Sequence, residues 1–306
     1  MKIRTVTGDI SPPAAGIIDA HNHAFIEVPD WVRKKDPDLA LDELPVCLEE
    51  MRLYKNAGGG SMVDCTAIDY GRDVVALKEI SDESKVFIIA TSGFKEDIFT
   101  RNWLGEKPFI AEQIEEQLFL EITAGVGNTG IRCGVLKAST SYNRVTDLEE
   151  QVLRIVARVQ KRTSAPTLTH CTSGTMGLEQ VEILEREGAD LSHVSIGHLD
   201  MNPDPWYVKS IARKGAFVSL DTAGKSKYHP DSHRVELLRA LLDAGLGNHV
   251  LLGMDIGRKS DCRIGAGGLG HDWLLTHYIP RLREEGFAEN SINQFLVENP
   301  QRWLAF

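Results

Sequence analysis

Pro166-Thr-Leu-Thr-His170 is a short run of mostly β-branched and apolar residues, and Gly174-Thr-Met-Gly-Leu-Glu-Gln-Val-Glu-Ile-Leu184 follows it closely. A short run of this kind that ends in one ionisable residue is typical of a buried strand. In the second run Leu178, Val181 and Leu184 recur at helical spacing, and glutamates occupy another face. The stretch therefore predicts a strand followed by an amphipathic helix.

The same alternation of a short run and a longer amphipathic stretch occurs about eight times along the 306 residues. Strands that alternate with helices form parallel sheets, and eight such units close a (β/α)₈ barrel, the TIM barrel. We therefore expect an α/β protein in which residues 1–306 form a single barrel domain. The predicted strands are Gly16–His21, Ser61–Thr66, Lys85–Thr91, Arg132–Ala138, Pro166–His170, Val194–His198, Ala216–Asp221 and Val250–Asp255.

The composition argues against some kinds of partner. The formal net charge is -10, and an acidic protein repels both nucleic-acid phosphates and anionic membranes. We therefore expect a small-molecule partner. No apolar run is long enough for a signal peptide or a membrane span. The cysteines form no CxxC pair and read as reduced thiols, so a cytoplasmic location is expected.

Ionisable residues stand at the ends of several predicted strands. His21 and His23 are two residues apart at the end of the first strand, so both imidazoles can reach one ion. His170, His198 and Asp255 end later strands in the same way. The C-terminal strand ends of a barrel meet at one face, and a buried ionisable group is costly unless it is paired or bound to metal. These residues therefore predict a metal site at that face.

Lys137 ends the apolar run that starts at Gly134. A lysine at a strand end commonly reaches solvent or an acidic partner. Beside four histidines and an aspartate we favour a different state, a lysine carbamate (N6-carboxylysine), whose anionic oxygens can bridge two metal ions. Burial lowers the basicity of lysine, which favours the neutral amine that takes up CO₂. The other histidines, His271 among them, are expected to be structural.

A set of short motifs, in order along nearly the whole chain, resembles the phosphotriesterase-related branch of the amidohydrolase superfamily. The motifs are Ile18-Asp-Ala-His-Asn-His, Val63-Asp-Cys-Thr with Gly71-Arg-Asp, Gly134-Val-Leu-Lys, Thr169-His, Ile196-Gly-His-Leu-Asp, Leu252-Gly-Met-Asp and Glu298-Asn-Pro-Gln-Arg. The resemblance implies a binuclear metal centre formed by His21, His23, Lys137, His170, His198 and Asp255. The first two histidines and the aspartate would hold the more buried ion, and the other two histidines the more exposed one. The lysine carbamate would bridge both ions together with a hydroxide.

Within this family the chain is most similar to lactonases that act on sugar lactones, including phosphorylated ones. Asp221-Thr-Ala-Gly-Lys-Ser-Lys-Tyr and Asp255-Ile-Gly-Arg-Lys are similar to that subgroup. The resemblance implies that Lys227 and Arg258 bind a phosphate. Asp261 stands where a tyrosine is expected, and a carboxylate at that position would repel a phosphate.

The resemblance implies that the bridging hydroxide attacks the lactone carbonyl and that Asp255 carries the proton to the leaving alkoxide. Zn²⁺ suits imidazole and carboxylate ligands best, but Mn²⁺, Co²⁺, Ni²⁺ or Fe²⁺ can occupy the same positions. Two alternatives stay open: a phosphotriesterase or other ester hydrolase with the same metals, and a non-catalytic barrel that binds a ligand. Dimers are common in this family, which leaves a homodimer open.

Overall fold

The computed structural model describes residues 1–306 and contains ten strands in chain order. They are β1 (Ile3–Thr5), β2 (Gly8–Ile10), β3 (Ile17–Asn22), β4 (Gly59–Asp64), β5 (Phe87–Gly93), β6 (Val135–Thr140), β7 (Thr167–Cys171), β8 (Val194–Ile196), β9 (Phe217–Leu220) and β10 (Val250–Leu252). The last eight form one parallel sheet in chain order. The backbone N–H groups of Met254 and Asp255 donate to the carbonyl of His21 at 3.1 and 2.9 Å, which joins the two ends of the sheet. The predicted (β/α)₈ barrel is confirmed.

Helices follow the strands and cover the outside of the barrel. They are α1 (Asp30–Lys35), α2 (Leu44–Asn56), α3 (Val74–Ser84), α4 (Asp97–Leu104), α5 (Ala111–Thr123), α6 (Asp147–Thr163), α7 (Gly177–Arg186), α8 (Pro205–Arg213), α9 (Asp231–Asp243), α10 (Ile279–Glu284), α11 (Glu289–Asn293) and α12 (Asn299–Leu304). Helix α6 begins with a capping box, in which Thr146 and Glu149 each accept from the other's backbone N–H. Val181 and Leu184 of α7 are fully buried, as their helical spacing predicts.

The eight predicted strands overlap the eight barrel strands, and the boundaries differ by a few residues. β8 ends at Ile196 and β10 at Leu252, so His198 and Asp255 lie beyond the strands in which they were predicted. Their φ angles are 59° and 46°, because the backbone turns out of the sheet through a left-handed conformation at each residue. Lys137 differs from its prediction in the opposite sense, because its strand continues beyond the predicted end. It lies inside β6 and pairs with Leu168 of β7, because the ladder continues to Thr140.

The N-terminal hairpin of β1 and β2 was not predicted. Ile3 of β1 is fully buried and belongs to the same apolar cluster as Ile18, Phe217 and Trp303. This cluster fills the interior of the barrel below the site. A second, larger apolar core packs the helices against the outside of the sheet. The C-terminal strand ends are therefore the end of the barrel at which polar side chains collect.

The longest connections after strands of the barrel are partly helical. The connection after β3 contains α1, and the connection after β5 contains α4. The connection after β10, from 256 to 270, is mostly irregular, and we call it the substrate loop. All five cysteines are buried as free thiols. No helix combines the length and the apolar character that crossing a bilayer requires.

Candidate metal centre

A polar cavity of about 160 Å³ opens at the C-terminal strand ends. All six residues predicted as metal ligands line it, and so do the predicted substrate contacts Lys227 and Arg258. The residues that line this cavity are His21, His23, Leu39, Tyr70, Lys95, Lys137, His170, His198, Lys225, Lys227, Tyr228, Asp255, Gly257, Arg258 and Asp261. The six predicted ligands come from five of the barrel's strand ends, and the other lining residues come from the connections that follow the strands, including the substrate loop.

His21, His23 and Asp255 form the first group of possible ligands, with donor atoms within 4.8 Å of one another. Oδ1 of Asp255 lies 3.7 Å from Nε2 of His21 and 3.5 Å from Nε2 of His23. Burial lowers the pKa of His23 to about 4, so its ring is neutral at pH 7. Two neutral imidazoles and one carboxylate are a suitable donor set for one divalent ion.

His170 and His198 form the second group. Nδ1 of His170 and Nε2 of His198 lie 2.7 Å apart and point at each other. Burial lowers the pKa of His170 to about 3, so its ring is also neutral at pH 7. The rings of His198 and His21 have centroids 4.6 Å apart, which places the two groups side by side.

Asp221 connects the two groups, and its role was missed from the sequence. Its side chain is fully buried, with Oδ1 2.7 Å from Nδ1 of His198 and Oδ2 3.0 Å from Nδ1 of His21. Burial alone would raise the pKa of Asp221, but His198 and His21 hold it well below its usual value. The ionised carboxylate accepts from both Nδ1–H groups, so Nε2 of each ring is the nitrogen that faces the cavity. The position of Asp221 at the end of a predicted strand was the signal available in the sequence.

The other two rings are oriented in the same manner. The hydroxyl of Thr66 donates to the carbonyl of Phe25 at 3.2 Å, so it accepts from Nδ1 of His23 at 2.8 Å. Nε2 of His170 donates to Oε1 of Glu96 at 3.0 Å, so its Nδ1 accepts the proton that Nε2 of His198 carries across their 2.7 Å contact. Burial alone would lower the pKa of His198, but Asp221 and Asp255 raise it. Each imidazole thus donates its outer N–H to an oxygen and directs its inner nitrogen into the cavity, and a metal ion would displace the one proton between His170 and His198. Oxygen partners of this kind fix the tautomer of metal-binding histidines.

Lys137 is buried beneath these groups, with its side chain 3% exposed. Its Nζ donates to the backbone carbonyl of Cys65, and no carboxylate forms an ion pair with it. Burial lowers the pKa of the Lys137 amine. The neutral amine of Lys137 is therefore more populated than that of a lysine in water.

Cations occupy the side of the cavity that the substrate loop covers. Lys225 is buried, and its Nζ donates to the carbonyl of Asp255 and lies 3.2 Å from Oδ2 of Asp261. The Asp261 carboxylate therefore has a cationic partner, which the sequence did not predict. Arg258 pairs with two aspartates in the connection after β3, and Lys227 has no acidic partner and lies over the Tyr228 ring at 5.2 Å.

Lys95 is a further cation that the sequence analysis missed. Its Nζ lies 2.8 Å from Oε2 of Glu96 and about 5 Å from the ring centroids of Tyr70 and Phe99. Glu96 therefore joins Lys95 to His170. Both residues follow β5 in one of the long connections, which was the only signal for them in the sequence.

The fold and this cavity are those of a hydrolase built on a (β/α)₈ barrel. The sequence matches the Phosphotriesterase family over residues 1–304, and the chain belongs to that family.

A lactonase from Listeria monocytogenes has a solved structure with a TM-score of 0.95 and 34% sequence identity, covering 100% of this chain and 99% of that chain. The phosphotriesterase homology protein from Escherichia coli was solved with phosphate in its active site, with a TM-score of 0.90 and 32% identity over 95% of this chain and 99% of that chain. A phospho-furanose lactonase from Mycoplasmopsis synoviae (strain 53) is 30% identical over 325 residues, 99% of this chain and 91% of that protein. The chain is therefore a hydrolase, and the alternative of a non-catalytic binding barrel is wrong.

Proposed function

We propose that the protein is a metal-dependent lactonase that opens a sugar lactone bearing an anionic group such as a phosphate. The main support is that four neighbouring imidazoles each bond an oxygen through the outer nitrogen and direct the inner nitrogen into the cavity. Unprotonated imidazole nitrogens beside a carboxylate are the donors that divalent transition metals prefer. The proposed ligands of two ions are His21, His23, Lys137, His170, His198 and Asp255.

The two ions would divide these ligands as the geometry groups them. The first group, with Asp255, would hold one ion, and His170 with His198 would hold the other. Lys137 would bridge them as a carbamate, since its amine is buried, has a lowered pKa and lacks a carboxylate partner. Zn²⁺ suits this donor set best, and Mn²⁺, Co²⁺, Ni²⁺ or Fe²⁺ are alternatives.

Asp255 is the residue proposed to move the proton during ring opening. Two divalent ions held here would make a water molecule more acidic and polarise the ester carbonyl. Burial alone would raise the pKa of Asp255, but Lys225 and His198 hold it well below its usual value. The ionised carboxylate accepts a proton from the attacking water and delivers it to the ring oxygen as the ester C–O bond breaks. The product is a hydroxy acid.

The charges around the cavity support a substrate with an anionic group. Lys227 has no acidic partner, whereas Arg258, a second cation at the mouth of the cavity, is paired with Asp36 and Asp38. The negative charge of Asp261 is balanced by Lys225 at 3.2 Å, so it no longer opposes an anion at Lys227. Relatives of this chain carry the names lactonase and phospho-furanose lactonase, and one binds phosphate in its active site.

The test is a comparison of turnover on three substrate classes at equal metal loading. They are sugar γ-lactones with a phosphate, the same lactones without it, and aryl phosphotriesters. We expect kcat/KM to be highest for the phosphorylated lactones and lowest for the phosphotriesters. A preference for phosphotriesters would replace the proposed function by the alternative, an organophosphate hydrolase with the same metals.

A further inference from the structure

Glu50 of α2 and His271 form a buried pair outside the cavity. Both side chains are almost fully buried, at 0% and 2% exposure. Nδ1 and the backbone N–H of His271 donate to Oε2 of Glu50 at 2.9 and 3.0 Å. Nε2 of His271 lies 2.9 Å from the carbonyl oxygen of His23. The pair therefore touches the backbone of a proposed metal ligand from behind.

The hydrogen bonds define which atoms of this pair donate and which accept. A carbonyl oxygen can only accept, so Nε2 of His271 carries a proton. Glu50 accepts from Nδ1, from the N–H of His271 and, through Oε1, from the N–H of Ile264 at 2.6 Å. Burial alone would raise the pKa of Glu50, but these three donors hold it below its usual value. A buried carboxylate persists only when it is paired and hydrogen-bonded, as Glu50 is.

The same pair also holds the substrate loop. Ile264 lies within this loop and His271 directly follows it, and both donate backbone N–H groups to Glu50. The loop carries Arg258 and Asp261 to the cavity. One carboxylate on α2 thus binds the loop at two points, while the imidazole that it contacts binds the peptide after His23.

We propose that Glu50 and His271 are positioning residues that lock the His23 backbone and thereby slow the loss of the ion that His23 binds. The hydrogen bond to the His23 carbonyl fixes the peptide plane next to the ligand, so the imidazole of His23 keeps its direction. Loss of such an outer partner typically weakens metal binding by 10–100-fold. The inference rests on the proposed metal centre, but it does not depend on the lactone substrate.

Two substitutions of His271 separate its two contacts. In His271→Gln the side-chain amide reaches the position of Nε2 and still donates to the His23 carbonyl. In His271→Asn the amide reaches only the position of Nδ1 and keeps the contact with Glu50. We expect H271N to lose metal to a chelator at least about tenfold faster than the wild type. H271Q should stay within about threefold of the wild-type rate. Metal remaining on the protein is measured by elemental analysis after timed exposure.

Glu121→Gln is the matched control, because Glu121 of α5 is also a buried carboxylate but pairs with Arg72, away from the proposed ligands. It should lower the melting temperature and leave the rate of metal loss unchanged. If H271N does not fold, Glu50→Gln carries the test with the same tenfold expectation. Equal rates of metal loss in H271N, H271Q and the wild type would overturn the proposal. A wild-type protein that binds no metal would instead overturn the metal centre.

Cys262 provides a second check, because it lies with Glu50 and His271 in a group whose donor atoms are within 4.8 Å of one another. The proposal makes this group a hydrogen-bonded pair and not a metal site. Cys262→Ser should therefore keep the wild-type metal content. A third ion per chain that disappears in C262S would contradict the proposal.

Discussion

Oδ1 of Asp221 lies 2.7 Å from Nδ1 of His198, and the same carboxylate reaches His21 through its other oxygen. One buried aspartate thus sets the tautomer of a ring in each of the two proposed ligand groups. Both ions would depend on the Asp221 carboxylate, so its loss should weaken the binding of both.

Asp221→Asn should weaken binding of both ions. An amide can accept from one ring, but it presents an N–H to the other, which forces that ring into the wrong tautomer. We expect metal affinity to fall by 10–100-fold, measured by competition with a chromophoric chelator. Glu121→Gln serves again as the control for loss of a buried carboxylate. Unchanged affinity for both ions would show that Asp221 has only a packing role.

The metal-free protein should lose stability at mildly acidic pH through His170. Burial lowers the pKa of His170 to about 3 in the folded chain, whereas an unfolded histidine titrates near 6.5. The unfolded chain then binds more protons as the pH falls below about 6.5, so this residue's contribution to stability is lost in that direction.

His170→Asn removes this titration and leaves the other groups in place. Between pH 7 and 5 its free energy of unfolding should fall by about 2 kcal/mol less than that of the wild type. Urea unfolding of the chelator-treated proteins at both pH values measures the difference. If the two proteins show parallel pH dependence, His170 is not held neutral by burial.

Much of this centre was predictable because a barrel brings the ends of its strands to one place. Five of the proposed ligands stand where β-branched runs end, and this position was enough to predict that they lie together. They are His21, His23, His170, His198 and Asp255. The strand ends themselves were less predictable, since His198 and Asp255 leave the sheet through left-handed turns. Such turns depend on local contacts and leave no periodic pattern in the sequence.

The supporting residues were harder to foresee, because their roles depend on which atoms face each other. Lys225 and Lys227 lie two residues apart in a turn, where no periodicity indicates which one is buried. The structure buries Lys225 and pairs it with Asp261. The repulsion expected from Asp261 therefore has a counterion that the sequence alone did not reveal. Glu96 was missed for the same reason, since its contact with His170 is made by an irregular connection.

Lys227→Met should raise KM for a phosphorylated lactone and leave KM for the unphosphorylated lactone nearly unchanged. A hydrogen bond to a charged group contributes about 1.5–3 kcal/mol, so the increase should be about tenfold or more. Lys259→Met is the matched control, because Lys259 is a cation of the substrate loop that pairs with Glu43 and does not line the cavity. An equal rise in KM for both lactones would remove Lys227 from anion recognition.

Asp261→Asn should act in the opposite direction. Removing the carboxylate leaves Lys225 paired only with Asp255 at 3.5 Å and makes the cavity more positive by one charge, which attracts an anion more strongly. We expect KM for the phosphorylated lactone to fall several-fold and this gain to shrink at high salt. A higher KM for that substrate would mean that Asp261 itself contacts the substrate.

We propose that six side chains hold two ions and that the amine of Lys137 joins them as a carbamate. Elemental analysis of the purified protein and of Lys137→Ala tests this arrangement. We expect two ions per wild-type chain, fewer in the variant, and partial recovery of metal when a short carboxylic acid is added. Two fully retained ions in Lys137→Ala, or none in the wild type, would contradict it.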